Sequence, residues 1–313
     1  MARGSADYFP RIAETCNRQL CCTLQRCILQ FESCRLRVQV QSRLVYRFSE
    51  PTDIIAAVLV AHASGQVIES ETLTLSPGLR LAEAMDPVTG ARLLRGVVEG
   101  EICIDYTAAV RLAPRLVLPA DVQVRSWSRL PVEVLPYLLP SRYCQVDQFL
   151  RFAQRQFGSI APGGARALAI LDWLHENVDY VHGVSTGTTG ADSTFIDRAG
   201  VCRDFTHLGL TLCRASGIPA RAVGAYALAL DPPDFHAVFE VFLDGGWWLV
   251  DPTRLAPVDG LVRIAHGRDA ADIAFLTTSG AAEQVYQQVL VTESSALALV
   301  KPSHHPNTVE EAA

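Results

Sequence analysis

Cys202, His236 and Asp251 give the chain, in that order, a thiol, an imidazole and a carboxylate. A thiol attacks a carbonyl carbon efficiently when a base holds its proton and a third group orients that base. Amides and esters are the natural targets of such a set. The surroundings of Cys202 favour this chemistry. Val201, Phe205, Leu208, Leu212 and Ala215 recur at steps of four and three, which is one apolar face of an α-helix. Gly200 breaks the chain just before that face, and Gly217-Ile218-Pro219 stops it, with Arg214 in the last turn. Cys202 therefore opens a helix. The unpaired backbone N–H groups and the macrodipole there favour a thiolate. Asp204, in the first turn, is expected to satisfy the same dipole.

The base and its orienter require a hairpin. Asp234 to Leu243 reads as a strand rich in Val and Phe, Asp244-Gly245-Gly246 as a turn, and Trp247 to Asp251 as the return strand, ended by Pro252. A two-residue turn at Asp244-Gly245 sets Leu243 opposite Gly246, and therefore Val238 opposite Asp251. His236 shares the face of Val238, because side chains alternate along a strand. Asp251 then lies diagonal to His236 on one face, within reach. A four-residue loop keeps this pairing, whereas a three-residue loop turns Asp251 to the other face.

Together these segments resemble the transglutaminase-like superfamily. The residues that carry the resemblance are Gly200-Val201-Cys202-Arg203-Asp204-Phe205, Leu212 to Arg221, His236-Ala237 and Asp251-Pro252-Thr253. The resemblance is closest to the bacterial branch with an N-terminal β domain, the transglutaminase-like cysteine peptidases. It spans residues 35–295 and is most specific over 165–275. It implies that Cys202, His236 and Asp251 are the catalytic triad. It also implies an α+β fold, in which an N-terminal antiparallel β domain precedes a papain/transglutaminase-like core with the catalytic-Cys helix packed on an antiparallel sheet. The expected function is a cysteine-dependent hydrolase of peptide or amide bonds, working through a thioester acyl-enzyme. The alternatives are a protein-glutamine transamidase, cross-linking or deamidating, and a non-catalytic protein-binding module. A metal hydrolase using Cys, His and Asp ligands explains the helix-start position of Cys202 less well. No cofactor and no metal are expected. Asp231-Pro232-Pro233-Asp234 lacks the ligand count of a calcium loop, so no calcium site is carried over from animal relatives. One departure is Val238, where many members have Trp. Less aromatic cover beside His236, together with the small, polar loop from Gly183 to Asp192, tilts the expectation towards hydrolysis.

The seven other histidines are weaker candidates. His207 sits on the Cys202 helix but points away from it, His182 borders the expected cleft, and His175 and His266 suit surface or satisfied positions. Trp247 and Trp248 suit packing. The nine cysteines contain no C-x-x-C pair, and Cys213 is too far along the helix, about 16 Å from Cys202, to form a disulfide with it. Cys213 is read as a small core residue.

At 313 residues, 49% hydrophobic and 19% charged, the chain has the composition of a globular protein with two domains. A net charge of -6 argues against a nucleic-acid partner. No apolar run is long enough for a membrane span and no compact signal segment is apparent, so a cytoplasmic protein with a peptide, protein or amide substrate is expected. The expected division is an extension over 1–34, a β domain over 35–130, the catalytic domain over 131–300 and a polar tail over 301–313. Alternation at Leu36, Val38 and Val40, and again at Ile102, Ile104 and Tyr106, supports strands in the β domain. The turn signals between them, among them Ser76-Pro77-Gly78 and Glu99-Gly100, suit a sandwich or open barrel. Helices are expected over 146–157 and 165–178, strands over 220–230 and 284–291.

Overall fold

The computed structural model describes residues 36–294, so the expected extension at 1–34 and tail at 301–313 lie outside the described residues. The first part of the described chain is built on two long strands, β1 (Leu36–Ala56) and β4 (Arg92–Leu112), each of 21 residues. They pair antiparallel along their length, from Leu36 opposite Leu112 to Ala56 opposite Leu94. Between them in sequence lie β2 (Gln66–Leu75) and β3 (Ala82–Met85), which pair with the two ends of β4. The free flank of β1 is covered from far along the chain, by β11 (Leu276–Thr278) and β12 (Glu283–Glu293). The result is one six-stranded antiparallel sheet rather than a sandwich or barrel. The turn signals mislead at Glu99-Gly100, which falls inside β4. There the register shifts opposite Phe48 to Thr52, and the strand continues through the irregularity instead of reversing.

The inward positions of β1 follow the alternation read from the sequence. Val38, Val40, Leu44, Tyr46 and Phe48 are buried while their neighbours are half-buried or exposed. The apolar run from Ile54 to Ala61 behaves in two ways. Its first part completes β1. Its second part leaves the sheet and stays buried, with the Ala57 N–H on the Phe275 carbonyl and the Ala61 N–H on the Arg263 carbonyl.

The rest of the chain forms helices on a second sheet. α1 (Val146–Phe157) and α2 (Gly164–Asn177) match the expected helices closely. A two-residue parallel pairing follows, β5 (Asp179–Tyr180) with β6 (Ala199–Gly200), and the segment between them ends in the short helix α3 (Ala191–Asp197). α4 (Cys202–Ala215) starts at the expected cysteine. The second sheet runs in the order β10-β7-β8-β9, from β7 (Ala220–Ala227), β8 (Phe235–Leu243), β9 (Gly246–Val250) and β10 (Leu261–Gly267). A single turn, α5 (Ala270–Ile273), follows β10.

α4 has more than the one buried face that its periodicity shows. It lies between α1, α2 and α3 on one side and β7 and β8 on the other, and every residue from Asp204 to Arg214 is buried. Its polar residues therefore need internal partners. Thr206 donates its hydroxyl to the Ala237 carbonyl at 3.0 Å, and Thr211 donates to the His207 carbonyl at 2.8 Å. Arg214 donates to the carbonyls of Ala220, Leu139 and Arg268 and to Ser141, so one guanidinium fastens three segments to the helix end. No helix among the described residues is long and apolar enough to cross a membrane.

Candidate active site

The start of α4 is held from both sides. Tyr180 on β5 pairs with Gly200 on β6, and the Val181 N–H donates to the Gly200 carbonyl at 2.9 Å. Gly200 has no room for a side chain, because a Cβ there would stand 2.5 Å from the Asp204 Cβ. That close approach lets Asp204 fold back and accept the Val201 N–H at 2.9 Å. Asp204 is completely buried, and Arg203 bonds its other oxygen at 3.1 Å. The expected dipole-satisfying carboxylate is thus also the clamp that fixes the turn carrying Cys202.

The hairpin has the tight turn that the register required. Asp244 and Gly245 adopt φ of 48° and 83°, the paired positive values of a type I′ turn. Leu243 faces Gly246 and Phe239 faces Val250, so the next step of the register sets Val238 against Asp251. The diagonal contact follows: His236 Nε2 is 3.0 Å from Asp251 Oδ2, with both side chains buried. Asp251 also accepts the Thr253 N–H at 2.9 Å, the Thr253 hydroxyl at 2.7 Å and the Ala256 N–H at 3.0 Å. It therefore both orients the imidazole and organises its own turn. Burial works against its charge, but His236 and Thr253 outweigh burial and hold the carboxyl below the usual carboxylate range.

His236 keeps its other nitrogen free. With Nε2 committed to Asp251, Nδ1 is buried and makes no hydrogen bond among the described residues, in a cavity wall that Cys202 shares. Burial disfavours the imidazolium, yet the Asp251 carboxylate and the neighbouring Cys202 outweigh it and push the His236 pKa up to about 9. The three residues picked out in sequence are thus brought to one cavity, with Asp251 bonded to His236 and Cys202 beside them.

A fourth group joins them that sequence reasoning does not name. The Tyr180 hydroxyl lies beside Cys202, close enough for the thiol to act on it. Burial first, then the thiol, raise the phenol above its usual range. A two-residue strand has no periodicity to read, so the only signal for Tyr180 was its place ahead of the Ser/Thr/Gly loop. The rival histidines lie elsewhere. His207 is buried on α4, stacked on Tyr143 at 4.7 Å between ring centres, and accepts the Ala270 N–H. Burial lowers its pKa to about 4, and His266 is lowered similarly by burial and by Arg221. His182 packs edge-on to Tyr180 at 5.4 Å, at the border expected for it. Trp247 packs on Phe242 and Tyr137, with the Arg221 guanidinium 4.0 Å from its ring centre. Cys213 is a fully buried core thiol, its pKa pushed up to about 12 by burial.

Cys202 opens onto two cavities. One, of about 350 Å³, also holds His236 and is apolar, with Phe235, Ile264, Ile273 and Phe275 in its wall. The other, of about 420 Å³, is lined by Ser185, Thr186, Asp234, Gln284 and Gln287. Val238 reaches neither; it is completely buried in a separate apolar cluster with Val223 and Leu249. The replacement of Trp by Val at this position therefore does not thin the aromatic cover of the cleft, which comes from Phe235 and Phe275, stacked at 4.9 Å. Among the described residues, no three His, Cys, Asp or Glu side chains converge as a metal-ligand set.

The chain is similar to known proteins. Residues 151–252, which include all three members of the set, match the family model of the transglutaminase-like superfamily. A crystal structure of a candidate cysteine protease from Cytophaga hutchinsonii is similar at 36% identity, with a TM-score of 0.79, over 84% of this chain and 92% of that one. An uncharacterised protein of Mycobacterium leprae is 29% identical over 153 residues, and one of Mycobacterium tuberculosis is 29% identical over 115. The chain spans 52% of the first and 37% of the second, so about half or less of these mycobacterial relatives. With 36% identity across nearly all of a solved relative, and the family model matched where the thiol, imidazole and carboxylate meet, this chain belongs to the transglutaminase-like superfamily.

Proposed function

We propose that the protein is a cysteine-dependent hydrolase of peptide or amide bonds, with Cys202 as nucleophile, His236 as general base and acid, and Asp251 as orienter. The observation that carries this is the Asp251–His236 bond in the wall of a cavity that Cys202 also lines, with the second imidazole nitrogen free. The thiolate attacks the carbonyl carbon, forming the C–S bond and moving the C=O electron pair to oxygen. We assign the Cys202 N–H at the helix start and the neighbouring Tyr180 hydroxyl as donors to that oxyanion. His236 gives its proton to the leaving amine as the C–N bond breaks, and a thioester remains. His236 then takes a proton from water, whose oxygen attacks the thioester carbon. The acid is released and the thiolate–imidazolium pair is restored. Asp251 keeps the imidazole orientation fixed throughout.

One observation favours water over an amine as the second nucleophile: the similar Cytophaga hutchinsonii protein is described as a candidate protease. Incubation with a casein substrate and a labelled primary amine, reading both products, tests the choice. Hydrolysis that vanishes in Cys202→Ala is expected. Amine incorporation exceeding hydrolysis at millimolar amine would replace this function with transamidation.

A further inference from the structure

The two cavities at Cys202 differ in chemistry, and His236 lines only the apolar one. The leaving amine must stand beside the imidazole that protonates it, so it belongs to the apolar side. The acyl part of the substrate then extends into the second cavity, where polar side chains interrupt the apolar wall. In that cavity, Arg203 is already neutralised by the buried Asp204. Asp234 has no such partner. Its Oδ1 accepts the Phe235 N–H at 2.7 Å and the Gln287 side-chain amide at 2.6 Å. Gln287 must direct its N–H group this way, since a carboxylate only accepts. Asp234 is thereby held in one orientation from β8 and β12, while its Oδ2 carries no hydrogen bond among the described residues and the residue is exposed. Ser185, Thr186 and Gln284 supply neutral polar walls and no compensating cation.

We propose that Asp234, positioned by Gln287, forms a subsite for a cationic group on the acyl side of the substrate. The substrate class is an amide whose acyl part carries an ammonium or guanidinium group and whose leaving amine is apolar. This assignment rests on the hydrolase function proposed above.

The test uses N-acetyl amides of lysine, norleucine and glutamate with an aminomethylcoumarin leaving group, which is apolar. The lysine amide should exceed the glutamate amide by roughly tenfold in kcat/KM, the ratio set by about 1.4 kcal/mol of charge discrimination. Asp234→Asn keeps the Oδ1 acceptor for Phe235 and Gln287 and should bring that ratio towards unity. An unchanged lysine-to-glutamate ratio in Asp234→Asn would overturn the subsite. A second arm needs no turnover: alkylation of Cys202 by 2-bromoethylammonium relative to iodoacetamide, followed by peptide mass mapping. That rate ratio should fall several-fold in Asp234→Asn, and an unchanged ratio would again reject the cation subsite. If Cys202 alkylates but no amide is cleaved, hydrolysis is rejected and the alkylation ratio alone decides the subsite.

Discussion

His236 spends one nitrogen on Asp251 and keeps the other free beside Cys202, so in the proposed reaction its protonation sets the working range of the site. The imidazolium is the form that gives a proton to the leaving amine. It is present below a pKa of about 9 and is lost as pH rises through that value. The kcat/KM profile should therefore fall on its alkaline side near pH 9. Asp251→Asn removes the carboxylate that raises this pKa, so the alkaline limb should move towards neutrality and kcat should drop by about 10²-fold or more. A limb that stays near pH 9 in the variant would mean that Asp251 serves only its turn. Thiol chemistry gives a second check. Cys213 is fully buried, so comparison with it would measure access alone. Cys103 is a partly exposed free thiol without an imidazole partner, and Cys202 should outpace it with iodoacetamide near neutral pH, by a margin that shrinks in His236→Ala. Equal labelling of Cys202 and Cys103 would count against an activated thiol. Tyr180→Phe removes one proposed oxyanion donor and should lower kcat by about 10²-fold with little change in KM. The set Cys202, His236 and Asp251 was legible because each residue sits beside a local signal: a helix start, a strand, and a turn of known register. The place of Tyr180 beside Cys202 and the Gln287 bond to Asp234 were not, since each depends on contact between segments separated in sequence.

At the scale of elements, the position of Cys202 depends on how tightly β6 runs into α4. A methyl group at Gly200 would meet Asp204, the residue that caps the helix and holds Arg203. Gly200→Ala should push Asp204 out of its bond to the Val201 N–H, costing about 1–3 kcal/mol in stability and slowing Cys202 alkylation. Denaturant midpoints and labelling rates read both effects. A variant that is destabilised yet alkylates at the wild-type rate would separate the cap from the reactivity of the thiol. The ends of α4 were readable from Gly200 and Gly217, and the hairpin from Asp244-Gly245, because these signals act over a few residues. The burial of α4 on every side was not readable. Its 3.6-residue periodicity marks Phe205, Leu208 and Leu212, while Thr206, Thr211 and Arg214 look like a solvent face until their internal acceptors are known. The first sheet failed for the opposite reason. Glu99-Gly100 has the composition of a turn, but pairing with β1 on one side and with β2 and β3 on the other carries the strand through it.

Across the molecule, the long β1–β4 pair and the catalytic sheet share a core. Tyr226 on β7 is completely buried, and its hydroxyl bonds Ser42 on β1 at 2.8 Å and donates to the Val58 carbonyl at 2.6 Å. Gln66 on β2 reaches across in the same way, accepting the Arg263 N–H at 2.9 Å and donating to the Arg263 carbonyl. One continuous apolar cluster contains Val40 and Tyr106 from the first sheet together with Phe205 and Phe239 from the catalytic part. The chain also returns at its far end to pair β12 with β1. A fragment of residues 131–313 would expose all of this surface and leave β11 and β12 without their partner. It should therefore fail to fold, even though it contains Cys202, His236 and Asp251. The intact protein should accordingly unfold in one step. Far-ultraviolet circular dichroism, which follows all the strands, and alkylation of Cys202, which follows α4, should give coincident denaturation curves. Tyr226→Phe, which leaves Ser42 and the Val58 carbonyl without the phenol, should shift both curves together by about 1–2 kcal/mol. Two separated transitions, or a folded and alkylatable 131–313 fragment, would show instead that the catalytic part stands on its own and that the β1–β4 sheet is an appendage to it.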